Sequence, residues 1–199
     1  MEKLIQKEDK IFLAGHNGMV GRAIFRELNN SGYKNIIVVS RNVLDLTDTS
    51  SVRNWFDLNK LDVTIIAAAK VGGIVANNSY PADFLLENLK IQNNIIENSF
   101  HIKVKRLIFL GSSCIYPKFS NQPIYEDDLL TGSLEPTNQW YAIAKIAGIK
   151  LCESLNRQFG FDAISLMPSN LYGSGDYYHK ENSHVIPALI RKFHQAKIS

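Results

Sequence analysis

The chain has 199 residues, 45% of them hydrophobic, and a formal net charge of +3 at pH 7. This length suits one globular domain, and the interspersed charges form no basic stripe, which argues against a nucleic-acid partner. Cys114 and Cys152 lack metal-ligand spacing and are too few for a disulfide framework, so no metal site is expected. No apolar run approaches the roughly 18 residues of a membrane span, and the polar N-terminus is unlike a signal peptide. We therefore expect a soluble cytoplasmic protein with no membrane contact.

Short apolar runs alternate with segments of helical spacing along the chain. The predicted strands are Lys10–Ala14, Ile36–Val39, Val63–Ala69, Leu107–Leu110 and Ala163–Met167. The predicted helices are Met19–Asn29, Ser50–Leu58, Phe84–Asn98, Tyr141–Phe159 and Val185–Gln195. Residues 117–139, which hold several prolines and an acidic cluster, are predicted to form a long loop. This alternation predicts an α/β fold with a doubly wound parallel sheet and right-handed crossovers.

A glycine-rich turn follows the first predicted strand and opens the first predicted helix. It reads GxxGxxG and consists of Gly15, His16, Asn17, Gly18, Met19, Val20 and Gly21. Glycines in this position let the backbone turn sharply and approach a pyrophosphate, whose charge is stabilised at the helix N-terminus. The turn therefore predicts a dinucleotide-binding site in a Rossmann fold.

The end of the second predicted strand indicates which dinucleotide binds. An NAD site carries a carboxylate there for the ribose hydroxyls, whereas an NADP site carries a cation for the 2′-phosphate. Here Ile36–Val39 is followed by Ser40 and Arg41. The next carboxylate, Asp45, forms with Leu46 a pair that resembles the adenine contact of related enzymes. We therefore expect NADP(H).

A tyrosine and a lysine stand four residues apart on a predicted helix, so that both project from one face. These are Tyr141 and Lys145, and the pair Gly111-Ser112 lies directly after the fourth predicted strand. Ligands bind at this edge of open α/β sheets. A phenol can deliver a proton to a carbonyl oxygen during hydride transfer, and a nearby ammonium is expected to lower its pKa. The set predicts a nicotinamide-dependent oxidoreductase.

The chain order of these features is typical of the extended short-chain dehydrogenase/reductase superfamily. The glycine turn comes first, the serine at a strand end follows, and the YxxxK motif formed by Tyr141 and Lys145 comes last. Four longer segments, AAAKVGGI at 67–74, GSSCIYP at 111–117, PSNLYG at 168–173 and NSHVIP at 182–187, resemble the GDP-L-fucose synthase family. The resemblance covers essentially the whole chain. It implies an enzyme that epimerises C3 and C5 of GDP-4-keto-6-deoxy-mannose and reduces the C4 ketone with NADPH, giving GDP-L-fucose.

The resemblance also implies a role for individual residues. Ser112, Tyr141 and Lys145 would carry out the reduction, and Cys114 and His184 would be the acid/base pair of the epimerisation. Such a pair suits the chemistry, because the 4-keto group acidifies the hydrogens on both neighbouring carbons. Further implied cofactor contacts are Leu110, Gly111, Ser113, Lys145, Pro168, Ser169, Asn170, Leu171 and His184, and the implied nucleotide-sugar contact is Lys192. Cys152 is expected only to be buried in the middle of a helix.

Two departures from the family pattern affect these expectations. Asn17 stands where some relatives carry an arginine. One expected contact to the 2′-phosphate is therefore absent, and Arg41 becomes more important for binding it. The chain stops at Ser199, whereas the family continues into a lobe that closes over the GDP-sugar. Residues 1–199 are thus expected to form an NADP-binding domain with catalytic residues and a substrate lobe truncated after about 180–199.

Two alternatives remain open at this stage. The chain could be another nucleotide-sugar epimerase, dehydratase or reductase of the same superfamily, or a truncated, non-catalytic cofactor-binding module. The family resemblance also implies a homodimer in which two long helices of each subunit form a four-helix bundle. Phe84–Asn98 and Tyr141–Phe159 would be those helices.

Overall fold

A computed structural model describes residues 4–179 and 183–198 of the chain. The strands are β1 (Ile11–Ala14), β2 (Ile36–Ile37), β3 (Val63–Ile66), β4 (Arg106–Leu110) and β5 (Ala163–Leu166). The helices are α1 (Met19–Asn30), α2 (Thr49–Leu58), α3 (Ile74–Ser79), α4 (Pro81–His101), α5 (Gln139–Phe159) and α6 (Val185–Ile198). Single 3₁₀ turns lie at Ser113–Ile115 and Glu126–Asp128.

The five strands form one sheet in the order β2-β1-β3-β4-β5, and every neighbouring pair is parallel. Ile11 is opposite Val63 and Ile36, and Leu107 is opposite Ala163. The predicted fold class is confirmed. The strand order reverses between β1 and β3, and open α/β sheets bind ligands beyond the carboxyl ends of the strands at such a point.

Two hydrophobic cores cover the two faces of the sheet, because alternate side chains of a strand point to opposite faces. From β1, Phe12 and Ala14 enter the larger core, together with apolar residues of α2, α4 and α5. Ile11 and Leu13 enter the smaller core, which α1 covers. All four side chains of β1 are buried. The strand that leads into the glycine turn is therefore fixed from both sides.

Helix α5 crosses close to β4 at a glycine. A Cβ on Gly148 would lie 2.6 Å from Cζ of Phe109 in β4 and 2.9 Å from Cδ of Gln92 in α4. Only glycine allows this approach, since real Cβ atoms do not come so near to a ring. The close crossing sets Tyr141 and Lys145, on the first turns of α5, beside the carboxyl end of β4.

Some predicted boundaries were wrong. Strand β3 ends at Ile66 rather than Ala69, because the backbone there packs against the glycine turn: a Cβ on Gly15 would lie 2.5 Å from the Ala68 nitrogen. Helix α4 begins at Pro81 rather than Phe84, since proline fits the first helical position, where its missing N–H costs nothing. The short helix α3 was not predicted.

Helix α6 and strand β5 leave apolar surface exposed. In the described part of α6 only Pro187 is buried, while Val185 and Phe193 are 68% and 71% exposed. On β5 the side chains of Ile164 and Leu166 are also exposed. Within residues 4–179 and 183–198, no helix is both long and apolar enough to cross a membrane.

Candidate active site

The glycine turn forms a backbone cradle at the start of α1. Gly15 has a φ of +89°, and a Cβ on Gly21 would lie 2.0 Å from the carbonyl oxygen of Gly15, so both positions require glycine. A Cβ on Gly18 would meet only that same oxygen, at 3.5 Å. No side chain caps α1 at Gly18, so the first N–H groups of the helix remain available to a phosphate. This geometry is compatible with the pyrophosphate site that the sequence predicts.

Arg41, the predicted 2′-phosphate contact, lies near Asp45. Its Nη2 is 3.7 Å from Oδ2 of Asp45, and the Arg41 side chain is 72% exposed. Hydrogen bonds from the backbone N–H and the hydroxyl of Thr47 hold the pKa of Asp45 below its ordinary value, and Arg41 adds to this. An exposed ion pair of this length is weak. Arg41 is therefore free to turn toward a phosphate without a large loss.

Ser112 and Cys114 stand together just beyond β4. The Cys114 thiol donates a hydrogen bond to the Ser112 hydroxyl, with 3.2 Å between Sγ and Oγ. Burial raises the pKa of the Cys114 thiol, while Ser112 and the ammonium of Lys145 act to lower it. The thiol thus carries its proton at neutral pH. The sequence motif at 111–117 places a proton-carrying thiol next to the serine that was predicted to hold the substrate carbonyl.

Tyr141 and Lys145 on α5 lie beside Ser112 and Cys114 at the end of β4. The expectation that Lys145 lowers the pKa of Tyr141 was wrong. Burial raises the pKa of the Tyr141 phenol, the nearby Cys114 adds to the increase, and only Ser112 acts against it. The Lys145 ammonium does not lower it, because that group lies 5.8 Å from the centre of the Tyr141 ring and donates to the carbonyl oxygen of Leu110 at 2.8 Å. Tyr141 is therefore a fully protonated phenol at neutral pH.

Lys145 is a buried ammonium with one protein acceptor. Its residue is 3% exposed, and Nζ lies 4.7 Å from the centre of the Phe109 ring as well as 2.8 Å from the Leu110 oxygen. Burial lowers the pKa of Lys145 to about 8, with a smaller opposing effect from Cys114. A buried cation with a single hydrogen bond is costly, which is typical of a group whose remaining partners belong to a ligand.

The remaining predicted residues lie around this centre with different degrees of exposure. His184 is exposed at the N-terminal end of α6, where its carbonyl accepts from Ala188 and its side chain makes no hydrogen bond to Cys114. Pro168 is half-buried, and Ser169, Asn170, Leu171 and Lys192 are exposed. Leu46 is half-buried, with its carbonyl held by the Asn94 amide at 2.9 Å. Asn182, in the fourth resembling segment, lies outside the described residues.

Sequence reasoning missed the polar side chains of α4 that hold the site in place. Asn88 accepts from the backbone N–H of Lys70 at 2.9 Å and donates to its carbonyl at 3.0 Å, which fixes the chain as it leaves β3. Gln92, one turn later, donates to the carbonyl of Ala144 in α5 at 2.6 Å. The sequence does contain a signal for them. Asn88 and Gln92 are amides four residues apart, and they lie among the apolar positions of a predicted helix.

A cavity of about 370 Å³ opens beside the end of β3. Its lining includes Lys70, Gly72, Tyr80, Phe84 and Tyr177. The four polar groups near the end of β4, which are Ser112, Cys114, Tyr141 and Lys145, do not line it. The Lys70 ammonium pairs with Glu87 and Asp83, so it brings no free charge to the cavity. In the part of the chain that the structure describes, no group of three or more His, Cys, Asp or Glu residues could hold a metal ion.

Comparison with known proteins places this arrangement in a family. The model of the NAD dependent epimerase/dehydratase family matches residues 11–199. GDP-L-fucose synthase 1 of Arabidopsis thaliana is 56% identical over 100% of this chain and 62% of its own length. GDP-L-fucose synthase of Escherichia coli strain K12 is 56% identical over 95% of this chain and 59% of its own.

A solved structure of a GDP-mannoheptose C4 reductase from Campylobacter jejuni, with NADP bound, is also similar. It superposes with a TM-score of 0.90 at 41% identity, over 98% of this chain and 56% of that one. The chain thus spans about 60% of the length of the curated relatives that it matches.

Proposed function

The chain belongs to the NAD dependent epimerase/dehydratase family, and from that premise we propose that it serves the NADPH-dependent conversion of GDP-4-keto-6-deoxy-mannose to GDP-L-fucose. One observation carries the proposal: a thiol, a serine hydroxyl, a phenol and a buried ammonium meet beyond one strand end. The 3.2 Å bond between Cys114 and Ser112 joins the groups needed for proton exchange to those needed for ketone reduction. The 56% identity to two proteins named GDP-L-fucose synthase supports the same substrate.

The proposed cofactor is NADPH, which supplies a hydride to C4 of the sugar. The uncapped N-terminus of α1 and the room above Gly18 fit a pyrophosphate, and Arg41 replaces the carboxylate of an NAD site. The NADP bound to the Campylobacter jejuni relative supports this choice. Leu110, whose carbonyl holds Lys145, would lie with Gly111 and Ser113 along the nicotinamide half of the cofactor.

In the proposed reduction the chain provides a proton and holds the ketone. The Ser112 hydroxyl donates a hydrogen bond to the C4 oxygen, and the Tyr141 phenol delivers the proton that completes the alcohol. The raised pKa of Tyr141 keeps the phenol protonated, which is the form that this direction of reaction requires. The buried Lys145 ammonium, which donates to the Leu110 carbonyl, is the proposed contact to the cofactor.

In the proposed epimerisation, Cys114 and His184 work on the carbons next to the ketone. Inversion at C3 or C5 requires that a proton leave one face and return to the other, so two groups on opposite sides of the sugar are needed. The Cys114 thiol stands beside Ser112 and therefore beside the ketone. His184 would approach from α6, which carries Lys192 toward the nucleotide-sugar two turns later. The 4-keto oxygen, held by Ser112, takes up the charge of the intermediate.

A second candidate is a C4 reductase that does not epimerise its substrate. The His184 side chain is exposed, whereas Cys114 is half-buried beside Ser112, so the reducing groups are assembled more completely than the epimerase pair. The similar reductase from Campylobacter jejuni has a name of that kind. A non-catalytic cofactor-binding module is a third possibility, because it needs only the cradle and Arg41.

The setting of the protein is part of the proposal. We infer a cytoplasmic location, because the chemistry needs Cys114 as a free thiol and neither cysteine forms a disulfide. We also propose a homodimer through the outer faces of α4 and α5. The residues that relatives have beyond the matched length are proposed to complete the nucleotide-sugar site, with residues 1–199 forming the cofactor-binding domain.

One experiment separates these candidates. The purified chain is mixed in stoichiometric amounts with NADPH and GDP-4-keto-6-deoxy-mannose in deuterated buffer, and the sugar is analysed by mass spectrometry and NMR. Deuterium at C3 and C5 together with GDP-L-fucose supports the proposed function. A 4-reduced sugar without deuterium at these carbons indicates the simple reductase. Cofactor binding with neither product indicates the binding module.

A further inference from the structure

The glycine turn, residues 15–21, contains no lysine or arginine, and an arginine on α1 donates a hydrogen bond to it. Arg22 follows the last glycine of the turn, in the first turns of α1. Its Nε donates to the carbonyl oxygen of Asn17 at 2.9 Å. The side chain thus runs back along the helix toward the turn, where the residue stays exposed to solvent.

The outer half of this guanidinium is open to a ligand. No hydrogen bond from Nη1 or Nη2 of Arg22, and no carboxylate within ion-pair distance, is found among the described residues. Asp176, which follows Gly175, accepts from the backbone N–H of Tyr177 at 2.7 Å. A guanidinium fixed at Nε presents its remaining donors in a planar fork, which matches the oxygens of a phosphate.

A glycine on the far side of the guanidinium encloses this position. A Cβ on Gly175 would lie 3.4 Å from Nη1 of Arg22, and Gly175 has a φ of +85°. The segment after β5 therefore lies close to one side of the Arg22 guanidinium. Arg22 lies between the turn that receives the pyrophosphate and a chain segment that can cover it.

We propose that Arg22 is a phosphate ligand of the dinucleotide, and that it supplies the positive charge absent at Asn17. This inference rests on the proposed cofactor but not on the proposed sugar chemistry. The phosphate that it binds is either the 2′-phosphate of the adenosine ribose or the pyrophosphate. Both groups carry anionic oxygens, and both are expected near the glycine turn and Arg41. NADH has the pyrophosphate but lacks the 2′-phosphate, so its binding distinguishes the two.

The test is a fluorescence titration of NADPH and NADH into the wild-type chain, Arg22→Ala and Arg26→Ala. Arg26 is the matched control, since it is exposed one turn further along α1, and no contact to the glycine turn is found for it. Arg22→Ala should weaken NADPH binding by about tenfold or more, the loss expected of one charge-assisted contact, and Arg26→Ala should have little effect. A loss confined to NADPH identifies the 2′-phosphate, and an equal loss for NADH identifies the pyrophosphate.

Two further measurements keep the result unambiguous. Thermal unfolding of Arg22→Ala should match that of Arg26→Ala, so that weaker binding does not reflect a damaged helix. Asn17→Arg in the Arg22→Ala background should restore NADPH affinity, because it returns a cation to the turn. Unchanged affinities in Arg22→Ala would overturn the inference, as would a wild-type chain that binds neither nucleotide. NADPH binding that depends on Arg22 without any sugar turnover would contradict only the proposed function.

Discussion

The thiol of Cys114 donates to the hydroxyl of Ser112 across 3.2 Å. In the proposed reaction the bond would join two steps that have different requirements, since proton exchange beside a ketone needs an acid/base group and reduction needs a donor to the ketone oxygen. Both groups come from three consecutive residues after β4. One strand end would therefore supply groups for both steps of the proposed reaction.

Replacement of Cys114 and of Tyr141 should separate the two steps. Cys114→Ser should slow deuterium incorporation at C3 and C5 by at least about a hundredfold, because an alcohol of much higher pKa replaces the thiol. Tyr141→Phe should preserve the incorporation and stop NADPH oxidation. Both are measured in single turnovers at stoichiometric enzyme, by mass spectrometry and absorbance. Undiminished exchange in the Cys114 variant would mean that the thiol is structural.

The choice between NADPH and NADH should depend on Arg41. A charge-assisted hydrogen bond contributes roughly 1.5–3 kcal/mol, so Arg41→Ala should weaken NADPH binding by about tenfold or more. NADH affinity should barely change, because NADH has no 2′-phosphate. Calorimetric titration of both nucleotides provides the comparison and its own control. Equal losses for the two would show that Arg41 does not bind the 2′-phosphate.

The sequence predicted what depends on local spacing. Strands, long helices, the glycine turn and the pairing of Tyr141 with Lys145 all follow from patterns within a few residues, and the structure has them. The direction of the Tyr141 pKa shift could not be predicted, because it depends on burial under distant parts of the chain. The position of Arg22 over Asn17 likewise depends on a side-chain path that no spacing specifies.

Gly21 should matter for the stability of the fold, whereas Gly18 should matter for the binding of NADPH. A Cβ on Gly21 would lie 2.0 Å from a backbone oxygen, so Gly21→Ala should lower the free energy of unfolding by about 3 kcal/mol, the upper part of the usual range for overpacking. Gly18→Ala meets only an ordinary 3.5 Å contact and should fold normally. It should nevertheless weaken NADPH binding, because its methyl group would occupy the approach of the pyrophosphate. Urea unfolding and NADPH titration of both variants test this contrast, which full NADPH affinity in Gly18→Ala would contradict.

The buried charge of Lys145 should make stability depend on pH in a defined direction. Burial lowers the pKa of Lys145 to about 8, from an ordinary 10.5. The folded protein therefore releases this proton at a lower pH than the unfolded chain, and the cost of the buried charge, complete below pH 8, disappears as pH rises toward 10.5. Lys145→Met removes the charge. The free energy of unfolding of the variant minus that of the wild type should therefore fall by roughly 2 kcal/mol between pH 7 and pH 10.

Urea unfolding of both proteins at the two pH values measures this difference directly. The comparison cancels the titration of the groups that do not interact with Lys145, and Cys114, whose thiol pKa the ammonium lowers, is the exception. The Met variant should also lose NADPH affinity at pH 7, which separates the ligand role of the ammonium from its cost to the fold. A stability difference that does not change with pH would show that Lys145 keeps an ordinary pKa in the folded protein.

The last prediction concerns what residues 1–199 can do alone. The glycine turn, Arg41, Ser112, Tyr141 and Lys145 all lie within the described chain, so NADPH should bind. The sugar site should be less complete, because the chain spans about 60% of the length of its curated relatives and His184 is exposed. Contacts remote from the reacting carbon position it and exclude water, so their absence should depress turnover as well as affinity.

Exposed apolar side chains should also affect the behaviour of the chain in solution. Val185 and Phe193 on α6 and Leu166 on β5 are uncovered, and large apolar surfaces of this kind promote association. We expect NADPH binding by calorimetry, self-association that increases with protein concentration in sedimentation, and only weak turnover of GDP-4-keto-6-deoxy-mannose. Val185→Glu with Phe193→Glu should reduce the self-association and leave NADPH binding intact, since both side chains are exposed and neither residue is a proposed cofactor contact. Turnover comparable to that of a longer relative would show that residues 1–199 hold the complete site, and the absence of NADPH binding would contradict a self-contained cofactor domain.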